Sequence, residues 1–282
     1  MATFFNQATL SYSGGTVNSN ITTGEILEVL SASKTAVVQT YTQGSEVTYI
    51  INLINSGSTP LNALTVTDDL GAYEFGTPAV TLQPLDYVDG SVKYFVNGVL
   101  AATPTVQAGP PLVISGISVP ANGITTIAYT VTANEFAPPI GTGFITNTAV
   151  ISGTGITDVT VTEDIGAAGG PRLTISKSVS PTTVSENGQI TYTFVIQNTG
   201  NTEATADDDI VITDTFDPIL ENITVTLNGA VWNDYTYDEV TGVFTTNSGA
   251  ITVPAATFTQ DPTTGAYTVN PGTTTLTVTG TI

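Results

Sequence analysis

Three lysines occur in the chain, and two of them hold equivalent places in an internal repeat. Lys34 shares the parity of Ala32, Ala36 and Val38; Lys177 shares that of Ile175 and Val179. Each repeat then offers an aspartate on an apolar parity. Asp68 is in phase with Leu64, Val66 and Leu70, and Asp214 with Ile210, Ile212 and Phe216. Asn147 is in phase with Ile145, Ala149 and Ile151. Side chains of a strand alternate between its two faces, so Lys34, Asp68 and Asn147 are all expected to point into one core. The second repeat has the Lys and the Asp but no matching Asn. Asn6 supplies it: Phe4, Asn6, Ala8, Leu10 and Tyr12 repeat the pattern of Ile145, Asn147, Ala149 and Ile151.

These residue types can make a bond. An unpaired buried lysine is costly to keep charged, so burial favours the neutral amine, which is a nucleophile. An aspartate whose proton affinity is raised by burial can protonate and polarise a side-chain amide. The product is a Lys–Asn isopeptide bond, with ammonia released. The reaction runs once per site and has no turnover, so no enzyme activity is expected. Two other readings stay open. One is a buried Lys–Asp ion pair capped by the Asn amide; the other is surface placement, should the strand parity be misjudged.

Strands must position these groups, and the sequence supplies them. The 282 residues fit two domains. Apolar residues make up 40%, with 27 Gly, 15 Pro and abundant Thr and Val, which suits strands and turns. No long window has helical periodicity with caps. Residues 1–28 read as an arm, 29–166 as a first domain and 172–282 as a second, with Gly166 to Pro171 as a flexible linker. In the arm, Phe4 to Tyr12 reads as a half-buried strand, followed by a polar strand from Thr16 to Thr23.

The two domains match in order. Ser33-Lys34 matches Ser176-Lys177, and Thr48-Tyr49 matches Thr191-Tyr192. Asn55-Ser-Gly57 matches Asn198-Thr-Gly200, and Val66-Thr-Asp68 matches Ile212-Thr-Asp214, with Asp207, Asp208 and Asp209 inserted before the latter. Asn97-Gly98 and Asn228-Gly229 read as tight hairpin turns. Val119-Pro120 to Ala133 is aligned with Asn270-Pro271 to Ile282. The expected architecture is all-β, two tandem immunoglobulin-like sandwiches. The second lacks the closing strand that 145–152 gives the first. That predicts a polymer subunit whose N-terminal strand completes a neighbour.

The run Lys34…Val47-Thr-Tyr49…Asn55-Ser-Gly57…Val66-Thr-Asp68…Ile145-Thr-Asn147-Thr-Ala149 resembles the bacterial surface repeat called domain of unknown function eleven. The run recurs from Lys177 to Asp214. The resemblance implies extracellular, stalk-like proteins built of repeats. Two such repeats without a visible signal peptide also resemble the clostridial endospore appendage proteins, which implies a spore-surface filament. The displaced closing strand departs from the family pattern and favours self-assembly over a simple stalk.

Composition narrows the remaining classes. The net charge is −20, from 24 acidic and 4 basic residues, so nucleic acid and anionic membrane are poor partners. There is no Cys and no His, which excludes disulfides, thiol catalysis and Ser-His-Asp chemistry. No cofactor is expected, and no apolar run is long enough to span a bilayer. Asp207, Asp208 and Asp209, with Glu203 and Asp217 nearby, are a calcium candidate or an acidic turn. Asp86, Asp89, Asp238 and Glu239 read as turn residues. Trp232, Tyr235 and Tyr237 are either a glycan-binding platform or one side of a hairpin packed on a core. The alternative function is therefore an adhesin or a glycan- or protein-binding stalk module.

Overall fold

The computed structural model describes residues 2–141 and 143–282. Alternation of apolar and polar residues is what builds it. In Glu46–Asn55 the residues Val47, Tyr49, Ile51 and Leu53 are buried, while those between them are half-exposed or exposed. Strands of this kind make an all-β protein of two compact units. They comprise Met1–Ala137 with Phe144–Ile165, and Pro138–Gly143 with Gly166–Ile282. The expected linker starts later than the sequence suggests, because the last strand of the first unit, Val159–Ala167, runs through Gly166.

The first unit is a sandwich of two six-stranded sheets. One has the order Val99–Leu100, Lys93–Val96, Gly123–Ala133, Glu46–Asn55, Leu30–Ala36, with Leu85–Tyr87 also on Gly123–Ala133. The other has the order Thr105–Gln107, Leu112–Val119, Leu61–Asp68, Phe144–Ser152, Val159–Ala167, Thr40–Tyr41. Their inner faces meet through Tyr49, Ile51, Ile127 and Tyr129 from the first sheet and Val66, Ile114, Ala149 and Ile151 from the second, all fully buried. Each large apolar side chain so buried contributes about 1.5–3 kcal/mol before ordering costs.

The second unit repeats the first sheet in the order Leu173–Ser180, Gln189–Asn198, Gly272–Thr281, Glu221–Leu227, Ala230–Val231. Its second sheet is cut down to Thr213–Thr215, Val243–Thr246 and Tyr235–Tyr237. Phe194, Phe216, Phe244, Leu276 and Val278 form its core. Asn97-Gly98 and Asn228-Gly229 do turn hairpins, each pair with positive φ at both positions. The repeat also shares a loop clamp. Asn55 Nδ2 donates to the Thr59 and Pro120 carbonyls (2.8 and 3.1 Å), and Asn198 Nδ2 donates to those of Thr202 and Pro254 (2.8 and 3.1 Å). This corrects the alignment: Val119-Pro120 corresponds to Val253-Pro254. The hairpin Thr257–Gln260 with Tyr267–Asn270 is an insertion before Gly272–Thr281.

The arm departs from the single half-buried strand expected. It folds back on itself: Ala2–Asn6 pairs with Thr22–Ile26, and Thr9–Tyr12 with Gly15–Asn18. The first strand is interrupted at Gln7-Ala8, and the polar strand expected over 16–23 falls in two pieces. No other strand joins this ribbon among the described residues, and Phe4, Leu10 and Tyr12 are 52%, 63% and 59% exposed.

Candidate functional site

In the first unit the three expected residues come together. Lys34 sits mid-strand in Leu30–Ala36, whose alternation puts Leu30, Lys34 and Ala36 inside. Val38, expected on the same face, lies past the strand end and is exposed. Asp68 ends the strand Leu61–Asp68 opposite Ala149, and Asn147 lies two residues before Ala149. Asp69 fixes this register, because its N–H donates to Thr148 O and its Oδ1 accepts from Thr148 N, both at 2.9 Å.

Lys34 Nζ donates to Asp68 Oδ2 at 2.7 Å and to the Asn147 backbone carbonyl at 3.0 Å. All three side chains are buried. Asp68 also accepts from the Tyr129 hydroxyl through Oδ2 and from the Leu70 N–H through Oδ1 (3.0 Å). The Lys34 ammonium lies 4.8 Å from the Tyr49 ring centroid.

The electrostatics follow from burial. Loss of water pushes the Lys34 amine below its ordinary 10.5, and the facing Asp68 offsets this only in part. The Tyr49 and Tyr129 hydroxyls are pushed up by burial and by Asp68, so both stay protonated and can donate. The Asn147 side chain lies close enough to oppose that rise in both tyrosines. Yet Asn147 Nδ2, Asn147 Oδ1 and Tyr49 Oη are buried and make no hydrogen bond. Leaving such a group unmatched costs about 1–3 kcal/mol. A primary amide with neither polar atom satisfied therefore sits beside an amine whose charge is disfavoured.

Tyr49 and Tyr129 were not singled out as site residues from the sequence. The signal available was the repeated Thr-Tyr at 48–49 and 191–192.

The second unit makes half of this site. Lys177 Nζ pairs with Asp214 Oδ2 and lies 4.6 Å from the Tyr192 ring centroid and 5.5 Å from those of Phe194 and Phe216. Tyr192 stands where Tyr49 does, but Val278 replaces Tyr129 opposite it. Here the burial expected from strand parity fails: the Lys177 and Asp214 side chains are 40% and 19% exposed, against zero for both Lys34 and Asp68. Leu173 and Ile175 are likewise exposed. The cause is visible in the topology. Leu61–Asp68 has Phe144–Ser152 on its free side, whereas among the described residues Thr213–Thr215 pairs only with Val243–Thr246. Ile210 and Ile212 precede that short strand rather than belonging to it. Asn6 is exposed on the arm, and Ala8, Leu10 and Tyr12 are exposed with it.

The other candidates resolve into local structure. Among the described residues no group of three or more His, Cys, Asp or Glu is placed to hold a metal ion, Asp207–Asp209 included. Asp208 instead caps a 3₁₀ turn through the Thr205 N–H (2.7 Å), and Asp209 accepts from the Ser248 hydroxyl (2.6 Å). Asp238 closes a turn by accepting from the Val240 and Thr241 N–H groups, which hold its carboxyl below the usual range. Asp86 corrects the turn reading, since it lies within the strand Leu85–Tyr87. Trp232, Tyr235 and Tyr237 pack on the second core, and the Tyr237 hydroxyl bonds to the Leu220 N–H and carbonyl, both at 2.9 Å. No described helix is long and apolar enough to cross a membrane.

No family model matches the chain, and no curated protein does. Solved structures with some likeness include the pilus backbone of Streptococcus pneumoniae, at 14% identity and TM-score 0.36, over 86% of this chain and 55% of that one. The major pilin subunit of Bacillus cereus is 12% identical at TM-score 0.36, over 96% and 73%. A family 123 glycoside hydrolase from Clostridium perfringens is 10% identical at TM-score 0.32, over 49% and 27%. At these values the likeness carries no functional weight, and the chain spans only part of each of these proteins.

Proposed function

We propose that the chain is a structural subunit of an extracellular or spore-surface filament. It polymerises head to tail, the arm of one copy completing the second unit of the next, and Lys–Asn isopeptide bonds lock it. One observation carries the reading. The second unit exposes around Lys177 the face that the first unit buries under Phe144–Ser152, while the arm exposes a segment with the same apolar, Asn, Ala, apolar alternation as that cover. With Asn6 in the place of Asn147, Ala8 lies opposite Asp214 and Leu10 opposite Ile212, by the register of Ala149 on Asp68 and Ile151 on Val66. A head-to-tail contact of this kind does not close on itself and so extends as a fibre. It also covers an open sheet edge.

The geometry of the first site supports the bond. The neutral Lys34 amine attacks Asn147 Cγ; Asp68 takes the proton from the amine and passes one to Nδ2; ammonia leaves. One C–N bond forms and one breaks, so no oxidant or cofactor is needed. Lys34 belongs to one sheet and Asn147 to the other, so the bond staples the sandwich. At the second site Lys177 and Asp214 await the Asn6 of a neighbour, which places the staple between subunits. Each bond forms once, and the protein has no turnover.

The test is microscopy and denaturing electrophoresis of purified protein. Long fibres and a ladder that survives boiling in detergent are expected, and Asn6→Ala should collapse the ladder to monomer while fibres still form. Discrete monomers at all concentrations would overturn the reading and leave an adhesive stalk module.

A further inference from the structure

We propose that the arm enters its neighbour as an intact two-stranded hairpin, supplying two strands of the open sheet rather than one. This rests on the donation reading above; the occupant is a second copy of this chain. In the first unit two strands lie beyond Leu61–Asp68, not one: Phe144–Ser152 and then Val159–Ala167. The outer strand takes part in closing the sandwich. Ile165 is fully buried, and the Glu163 carboxylate accepts from Ala36 N–H (3.1 Å) and Gln39 Nε2 (2.9 Å), tying it to the end of the Lys34 strand. Among the described residues the second unit has neither strand on the free side of Thr213–Thr215. A single donated strand would leave the corresponding end of Leu173–Ser180 open.

The arm is already built as that pair. Thr9–Tyr12 and Gly15–Asn18 are in register, with Leu10 opposite Val17 and Ser11 opposite Thr16. Paired residues share a face, so Leu10, Tyr12 and Val17 lie on one side, each more than half exposed. Thr9, Ser11, Thr16 and Asn18 lie on the other and bond across the strands: Thr9 Oγ1 to Asn18 Oδ1 at 2.8 Å, Ser11 Oγ to Thr16 Oγ1 at 3.4 Å. An isolated two-stranded ribbon is marginal in water, and its apolar face lacks a cover here. Charge favours the same occupant. The chain carries −20, yet residues 2–24 hold no charged side chain and Glu25 is the one charge in this ribbon, so it approaches an acidic copy with little side-chain repulsion.

A disulfide across the ribbon tests this in the full chain, which has no cysteine of its own. Ser11→Cys/Thr16→Cys places the bridge on the polar face, away from the proposed contact. If the hairpin docks intact, the oxidised variant assembles as the parent does, and reduction changes nothing. If the oxidised variant stays monomeric and assembles once reduced, one strand is donated after the hairpin opens; the present inference is overturned while strand donation stands. If the parent itself fails to assemble, donation fails and the inference with it. Should the cysteines impair assembly even when reduced, Thr9→Cys/Asn18→Cys decides by the same two outcomes.

Discussion

Three unsatisfied buried polar atoms mark the Lys34 site: both side-chain polar atoms of Asn147 and the Tyr49 hydroxyl. An ion pair kept for its own sake would have the amide cap its neighbours, so these atoms support the proposed bond. Intact mass of folded monomer should therefore fall short of the sequence mass by one ammonia, and Lys34→Ala or Asp68→Ala should restore it. Asp68→Ala also strands any unreacted Lys34, and breaking such a buried pair costs about 3–5 kcal/mol. Tyr49→Phe should keep the fold and slow bond formation, on the order of 10²-fold, since the hydroxyl facing the amide is the donor available to its developing oxyanion. Asn147→Ala leaves Lys34 a free amine and so exposes its titration. Burial lowers its pKa from 10.5, so the folded state binds fewer protons than the unfolded one between the lowered value and 10.5. Stability of this variant should rise with pH through that window and fall away as pH drops through the folded value. The parent, its amine consumed, should lack that dependence. Lys34, Asp68 and Asn147 were legible in the sequence because strand parity put each on an apolar face. Tyr129 was not, because its role depends on which strand of the opposing sheet meets Asp68.

Strand periodicity and the Asn-Gly turns revealed most elements, because those signals are local. The arm's return on itself and the hairpin inserted after Pro254 were not legible. Both are set by pairing, and the sequence repeat had no counterpart to display. The exposure of Lys177 was likewise hidden: its own strand has the right parity, and what it lacks is a neighbour two strands away. These elements make an expectation of their own. A chain starting near residue 29, with residues 1–28 carried after Ile282 through a short flexible linker, should fill its own groove. The tethered arm has an effective concentration of millimolar order, far above that of free subunits. The rearranged protein should be a monomer with a stabilised second unit by size-exclusion chromatography and thermal melting. Simple deletion of residues 1–28 should lower the melting temperature of the second unit and promote aggregation, leaving the first unit unchanged. A deletion as stable and monomeric as the rearranged protein would reduce the arm to a passive tail.

For the whole molecule, the charge of −20 sets how copies meet. Like-charged subunits repel over about 8–10 Å at physiological salt. The initial rate of assembly should therefore rise with added salt, whereas ladders already locked by covalent bonds should not respond; an initial rate that falls with salt would point to attraction between opposite charges instead. The central claim is that Asn6 of one copy is joined to Lys177 of the next. With only four basic residues, tryptic digestion gives few peptides, so the junction can be read directly. Mass spectrometry of the boiled, detergent-resistant ladder is the most direct test. It should find the Asn6 segment joined to the Lys177 segment with one ammonia lost at that junction, and a second ammonia lost where the same species carries Lys34 joined to Asn147, since an acylated lysine resists trypsin. Assemblies in which both segments are recovered separately and unmodified, or in which Asn6 is joined to a different lysine, would contradict the account.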